Sequence, residues 1–133
     1  IVVGMPPGHF DKYTPNKEQT ASVNLKKSDQ ILAYIRNNVY EPELIKIEHL
    51  AQKFNMSQAN IVHLFKKETG ESIRQYIINY KLMLVKYRLK NTHYSISEIS
   101  YELGFTDESH LTKSFKSKFK KTPKQYRQEV LNK

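Results

Sequence analysis

The sequence predicts an all-α chain of about seven helices, arranged as two helix-turn-helix subdomains joined by a long linker helix. Three observations carry that reading. From residue 28 onward apolar residues recur at spacings of three and four. One supersecondary pattern occurs twice, and between its copies lies a stretch of about twenty residues that is apolar over much of a helical circumference.

Bulk properties narrow the classes. A length of 133 residues suits one domain, or two small subdomains sharing a helix. The absence of cysteine excludes disulfides and thiolate chemistry and fits a reducing cytoplasm. No apolar run approaches the roughly 20 residues that cross a bilayer, and no signal-peptide arrangement is present. A net charge of +9 favours a polyanionic partner, either nucleic acid or an anionic membrane face. The charge is clustered. Ile73 to Ser97 holds Arg74, Lys81, Lys86, Arg88 and Lys90 with no acid, and Lys113 to Arg127 holds seven basic residues with none.

Residues 1–27 differ from the rest. The chain starts on Ile, as a processed product or a piece of something longer would, and IVVG followed by a polar, proline-containing, aperiodic segment reads as a linker or the end of a missing upstream domain. Ser28 is placed to cap a helix to about Val39, with Ile31, Ile35 and Val39 on one face and Pro42 preventing its continuation. Unit one is expected over about residues 28–71, the linker helix over 72–91 and unit two over 95–131.

The repeat is explicit. Ile47, Leu50, Ala51, Phe54, Asn55, Met56 and Ser57 recur as Ile96, Ile99, Ser100, Leu103, Gly104, Phe105 and Thr106 at an offset of 49. Ile61, Phe65, Lys66, Ser72, Gln75 and Tyr76 then recur as Leu111, Phe115, Lys116, Thr122, Gln125 and Tyr126 at an offset of 50. The slip falls just after Thr106, where a turn or helix start absorbs it. Ser95 with Glu98, Ser72 with Gln75 and Thr122 with Gln125 are capping signatures, the last with Pro123 at the favoured first position. Gly104 supplies the left-handed helix end, and Asn55 is the next most tolerant residue in the first copy.

In the second copy Thr106 or Asp107 can cap a helix whose buried stripe is Leu111, Phe115 and Phe119 and whose other face carries Ser109, Thr112, Lys113 and Lys116. A face that turns from polar to cationic suits a major groove; it is equally the solvated face of an ordinary bundle. The duplication favours the first reading. In the linker helix, Ile73, Ile77, Tyr80, Leu84 and Tyr87 line one side, Tyr76, Met83 and Leu89 another, and Arg74, Lys81 and Arg88 are expected on one exposed strip. Twenty residues make a rod of about 30 Å, near the roughly 34 Å of one duplex turn.

The motifs ISEISYELGFT, HLTKSFK and TPKQYR, preceded by LFKKETGESIRQYI, resemble the AraC/XylS-type transcription regulators over about residues 28–131. The resemblance implies a double helix-turn-helix domain whose second helices enter the major groove. It implicates Ala59, Val62, His63 and Lys66 in the first unit, and Glu108, Ser109, Thr112, Lys113 and Lys116 in the second. Ala59 and Val62 offer only apolar contacts, for instance to thymine methyls, so His63 and Lys66 are expected to matter most there. Lys113 suits guanine O6/N7, Ser109 and Thr112 can donate or accept, and Glu108 can accept from cytosine N4. Phosphate contacts are expected from Ser57, Arg74, Thr106, Lys121, Thr122, Lys124 and Gln125, at helix starts or in the basic strips.

Three positions depart from the family pattern. Lys120 replaces a usual glycine, which leaves the end of the second recognition helix open. Lys81 replaces an arginine, turning a bidentate contact into a point charge. Val85 stands where a small alanine is usual.

Catalysis is not expected. His9, His49, His63, His93 and His110 lack metal-ligand spacing, no glycine-rich phosphate loop exists, and no cofactor or metal is implied. The competing reading is a basic helical module docking to protein or an anionic surface without sequence readout, using the linker helix and Tyr13, Tyr40 and Tyr94. By resemblance the partners are double-stranded DNA, RNA polymerase and an upstream sensing domain absent from this chain, with no membrane partner, in the bacterial cytosol or nucleoid. Whether such a regulator is an activator or a repressor is not written in these residues.

Overall fold

The computed structural model describes residues 26–132, so the reading of residues 1–27 falls almost wholly outside the described residues. Those residues form seven α-helices and no strand: α1 (Lys27–Asn37), α2 (Ile47–Lys53), α3 (Gln58–Thr69), α4 (Ile73–Asn91), α5 (Ile96–Glu102), α6 (Glu108–Phe119) and α7 (Pro123–Leu131), with a 3-10 turn at Pro42–Ile45. The chain divides into two compact units between Ile77 and Ile78, inside α4.

In the first unit α3 packs against α1 and α2, and α2 against the 3-10 turn. Ile31, Ile35, Ile45, Leu50, Ala51, Ile61, Phe65 and Ile73 form the core, flanked by Tyr34, Phe54, Met56 and Tyr76. Full burial of each large aliphatic or aromatic side chain contributes about 1.5–3 kcal/mol, which is why three- and four-residue spacing dictates these helices. Ser28 does not cap α1. It is buried within the helix, Lys26 occupies the cap position without a side-chain bond, and the Glu68 carboxylate of α3 accepts from the Ser28 N–H at 3.4 Å. An anion from a distant helix thus faces the positive end of α1. The helix ends at Asn37, before the expected Val39, and Pro42 opens the 3-10 turn.

In the second unit α5 packs on α6 and α6 on α7. Tyr80, Leu82, Leu84, Val85 and Leu89 of α4 are all at most 2% exposed, so this stretch is covered on both sides, as its apolar pattern requires. The expected exposed strip fails here. Arg74 is exposed, but Lys81 and Arg88 are 8% and 2% exposed. Their strip turns inward because the α5 end of the unit covers it: the Lys81 ammonium lies 5.7 Å from the Phe105 ring centre, and Arg88 pairs with Glu102. Arg127 is likewise withdrawn from the basic run. Its guanidinium donates to the carbonyls of Leu89 at 3.1 Å, Tyr94 at 2.6 Å, Thr92 at 3.2 Å and Arg88 at 3.4 Å, closing the C-terminal end of α4.

The two units repeat each other internally. Left-handed residues end the corresponding segments, Asn55 and Gly104, then Gly70 and Lys120, with φ of 55°, 74°, 83° and 66°. Met56 N–H reaches Ala51 O at 2.9 Å, and Phe105 N–H reaches Ser100 O at 3.0 Å. Phe65 meets Tyr76 at 5.8 Å and 60°, and Phe115 meets Tyr126 at 5.9 Å and 61°. Lys120 therefore stops α6 just as a glycine would, and the helix does not run on.

Candidate nucleic-acid interface

Each unit presents the second helix of its helix-turn-helix to solvent. Ser57 caps α3 by accepting from the Asn60 N–H at 3.1 Å, and Ile61 and Phe65, both 0% exposed, fix its inner side. Ala59, Val62, His63 and Lys66 lie opposite, within an arc of about 100° at the helical 100° per residue, and all four are exposed. Asp107, one of the two expected caps, starts α6 by accepting from the His110 N–H at 2.8 Å. Leu111 and Phe115, again 0% exposed, anchor the helix.

Ser109, Thr112, Lys113 and Lys116 share one outer face of α6. Thr112 is half-buried and the other three are exposed. Glu108 is exposed on the first turn, about 100° round from Ser109. Among the described residues no ion pair holds Lys66, Lys113 or Lys116, so these cations stand available to an outside acceptor.

The expected phosphate set divides. Arg74 and Lys124 are exposed on the first turns of α4 and α7. Ser57 and Thr106 are exposed beside the starts of α3 and α6, but Ser57 Oγ is already engaged as the α3 cap, and Asp107 places a carboxylate at the start of α6. Thr122 and Gln125 are engaged in the α7 capping box, Thr122 Oγ1 accepting at 3.1 Å and Gln125 Oε1 at 2.8 Å. Lys121 pairs with Glu129 at 2.6 Å, so a phosphate there would have to compete with a carboxylate.

In the first unit the structure brings base and phosphate candidates together. A groove of about 370 Å³ is lined by Ile47, Gln58, Ala59, Val62, Ser72, Ile73 and Arg74. Its second-unit equivalents at the repeat offsets are Ile96, Glu108, Ser109, Thr112, Thr122, Pro123 and Lys124.

Sequence reasoning missed the supports behind this face. The Lys86 ammonium sits 4.6 Å from the Phe119 ring centre and 5.4 Å from that of Tyr126, holding α6 and α7 to α4. Burial without a carboxylate lowers the Lys81 pKa from the ordinary lysine value. On another surface of the second unit Tyr101, 90% exposed, lies with Tyr94, Ser97, Glu98 and Glu102 along a groove of about 510 Å³. Tyr40 and Tyr94 are exposed as expected; Tyr13 lies outside the described residues. Among the described residues no cluster of His, Asp or Glu could hold a metal, and no helix is long and apolar enough to cross a membrane.

Two helix-turn-helix units, each turning the lysine-bearing face of its second helix outward beside exposed basic residues, define a DNA-binding module. A family profile described as a helix-turn-helix domain matches residues 50–129. The chain is 35% identical over 88 residues to the Msm operon regulatory protein of Streptococcus mutans, a match covering 66% of this chain and 32% of that protein. It is 32% identical over 97 residues to the multiple antibiotic resistance protein MarA of Escherichia coli, covering 73% and 75%. The fold matches the DNA-binding domain of the transcription factor AdpA, solved with a target DNA, at a TM-score of 0.74 and 21% identity over 81% of this chain and 96% of that one. The chain belongs to the AraC-type family of helix-turn-helix transcription regulators, and it spans about a third of the Msm protein's length, 32%.

Proposed function

We propose that this chain is the sequence-reading head of a transcription regulator that inserts α3 and α6 into successive major-groove segments of double-stranded DNA, with α4 as the linker. The observation that supports it is the construction of one reader twice, down to matching left-handed helix ends and matching ring pairs. Lys113 is assigned to guanine O6/N7, with Ser109, Thr112 and Lys116 beside it. Glu108 accepts from cytosine N4, and phosphates would repel it elsewhere, so it discriminates. In the first unit His63 and Lys66 supply polar contacts, and Ala59 and Val62 apolar ones. Arg74, Lys124 and Thr106 fix register on phosphates, with Ser57, Lys121, Thr122 and Gln125 contributing through groups already partly engaged. An upstream sensing domain and RNA polymerase complete the regulator, acting in the cytoplasm.

A salt titration on two duplexes tests this. One site should be preferred by about 10³-fold or more over unrelated sequence. Equal affinity for both, falling together with salt, would leave only non-specific binding.

A further inference from the structure

The two readers are alike in frame and unlike in surface. At the outer face of α3 stand Ala59 and Val62, the latter 36% exposed, and neither can donate or accept a hydrogen bond. They continue into the groove whose other apolar walls are Ile47 and Ile73 and whose polar rim holds Ser72 and Arg74. The repeat puts Ser109 and Thr112 where Ala59 and Val62 stand, so the same surface in the second unit carries hydroxyls.

Among the groups that base pairs show in the major groove, one is apolar: the thymine C5-methyl. A polar base edge pressed on Ala59 and Val62 would lose water and gain no partner, an unfavourable exchange. A methyl loses nothing and leaves water with the two side chains. Arg74, on the same groove, is an exposed cation. Building on the DNA-reading function above, we propose that the first unit recognises thymine through its C5-methyl at Ala59 and Val62, which offer no hydrogen bond, while the second unit carries hydroxyls at the equivalent positions and reads base edges by hydrogen bonds.

Deoxyuridine tests this cleanly, because it removes the methyl and keeps every hydrogen-bonding group of thymine. A duplex bound with preference over random DNA is resynthesised with each thymine in turn replaced by deoxyuridine. Affinity should fall about fourfold for each contacted methyl, the worth of one buried CH₂, at positions in the half of the site that the first unit reads. Val62→Ser, at an exposed position and checked for an unchanged melting temperature, should erase that thymine preference and leave preferences in the other half intact. Equal binding of thymine and deoxyuridine duplexes at every position would overturn the inference while the DNA-reading function stood. So would a methyl preference that survives both Val62→Ser and Ala59→Ser. Failure to prefer any duplex over random DNA would instead overturn both.

Discussion

Arg88 and Glu102 meet in a two-pronged ion pair, Nε to Oε1 at 2.8 Å and Nη2 to Oε2 at 3.2 Å. The Arg88 side chain is 3% exposed and that of Glu102 37%, so the pair ties the buried side of α4 to the end of α5 while water screens one partner. Removing the carboxylate takes the charged partner away from a buried guanidinium. Glu102→Gln should therefore cost about 1–3 kcal/mol of unfolding free energy. Adding Arg88→Met should recover part of it, since an apolar side chain of similar reach no longer needs a partner. A double-mutant cycle by denaturant unfolding checks this; strictly additive losses would mean that the two residues are not coupled.

Arg127 and Lys113 belong to one basic stretch of sequence, yet the structure gives them different work. Arg127→Lys keeps the charge but loses the fork that reaches four carbonyls, and it should lower stability by about 2–3 kcal/mol with the salt dependence of DNA binding unchanged. Lys113→Ala should leave stability nearly unchanged and weaken binding by about 1–3 kcal/mol, relaxing preference at one base position. Reversal of these two phenotypes, read from melting and from binding to a panel of single-base variants, would overturn the assignment.

That contrast marks how far the sequence speaks. Helix number, the duplicated unit, the capping boxes at Ser95 and Thr122, and the stripes at Ile61, Phe65, Leu111 and Phe115 were legible because each follows from local chemistry or helical spacing. The strip of Arg74, Lys81 and Arg88 was misread because periodicity gives a helix its faces and not their neighbours. Only the fold shows that Phe105 and Glu102 cover two of the three. The same holds for Ser28, whose helix start is met by Glu68 from forty residues away. The outer residues of α3 and α6 were legible as positions, but Thr112's partial burial and Lys121's bond to Glu129 arise from packing across elements.

Lys120 holds φ at 66°, a left-handed conformation that a Cβ disfavours. Lys120→Gly should stabilise the second unit by about 0.5–1 kcal/mol, the relief of strain being offset in part by a freer unfolded chain. Gly70→Ala, at φ 83° with open space around its Cα, should destabilise the first unit by about 1 kcal/mol through the backbone alone. Thermal melting of both variants decides; an unstable Lys120→Gly would show that its ammonium bond to the Ser117 carbonyl at 3.0 Å outweighs the strain.

The α5 capping box gives a pH signature. Hydrogen bonds from the Ser95 backbone and then its hydroxyl hold the Glu98 carboxyl below the usual glutamate value. A depressed acid contributes stability that is present above its unfolded value of about 4.3 and is lost as pH falls through the lower folded value. Glu98→Gln, which keeps a capping side chain without a titrating group, should show a shallower loss of melting temperature below about pH 5 than the parent chain. Parallel acid profiles would mean that the carboxylate adds nothing through its charge.

Selection of bound sequences from a random duplex pool tests the duplicated reader most directly. Two conserved blocks should emerge, their centres about one duplex turn, or about 10–10.5 base pairs, apart. A single block, or a pool no different from the input after repeated rounds, would contradict it.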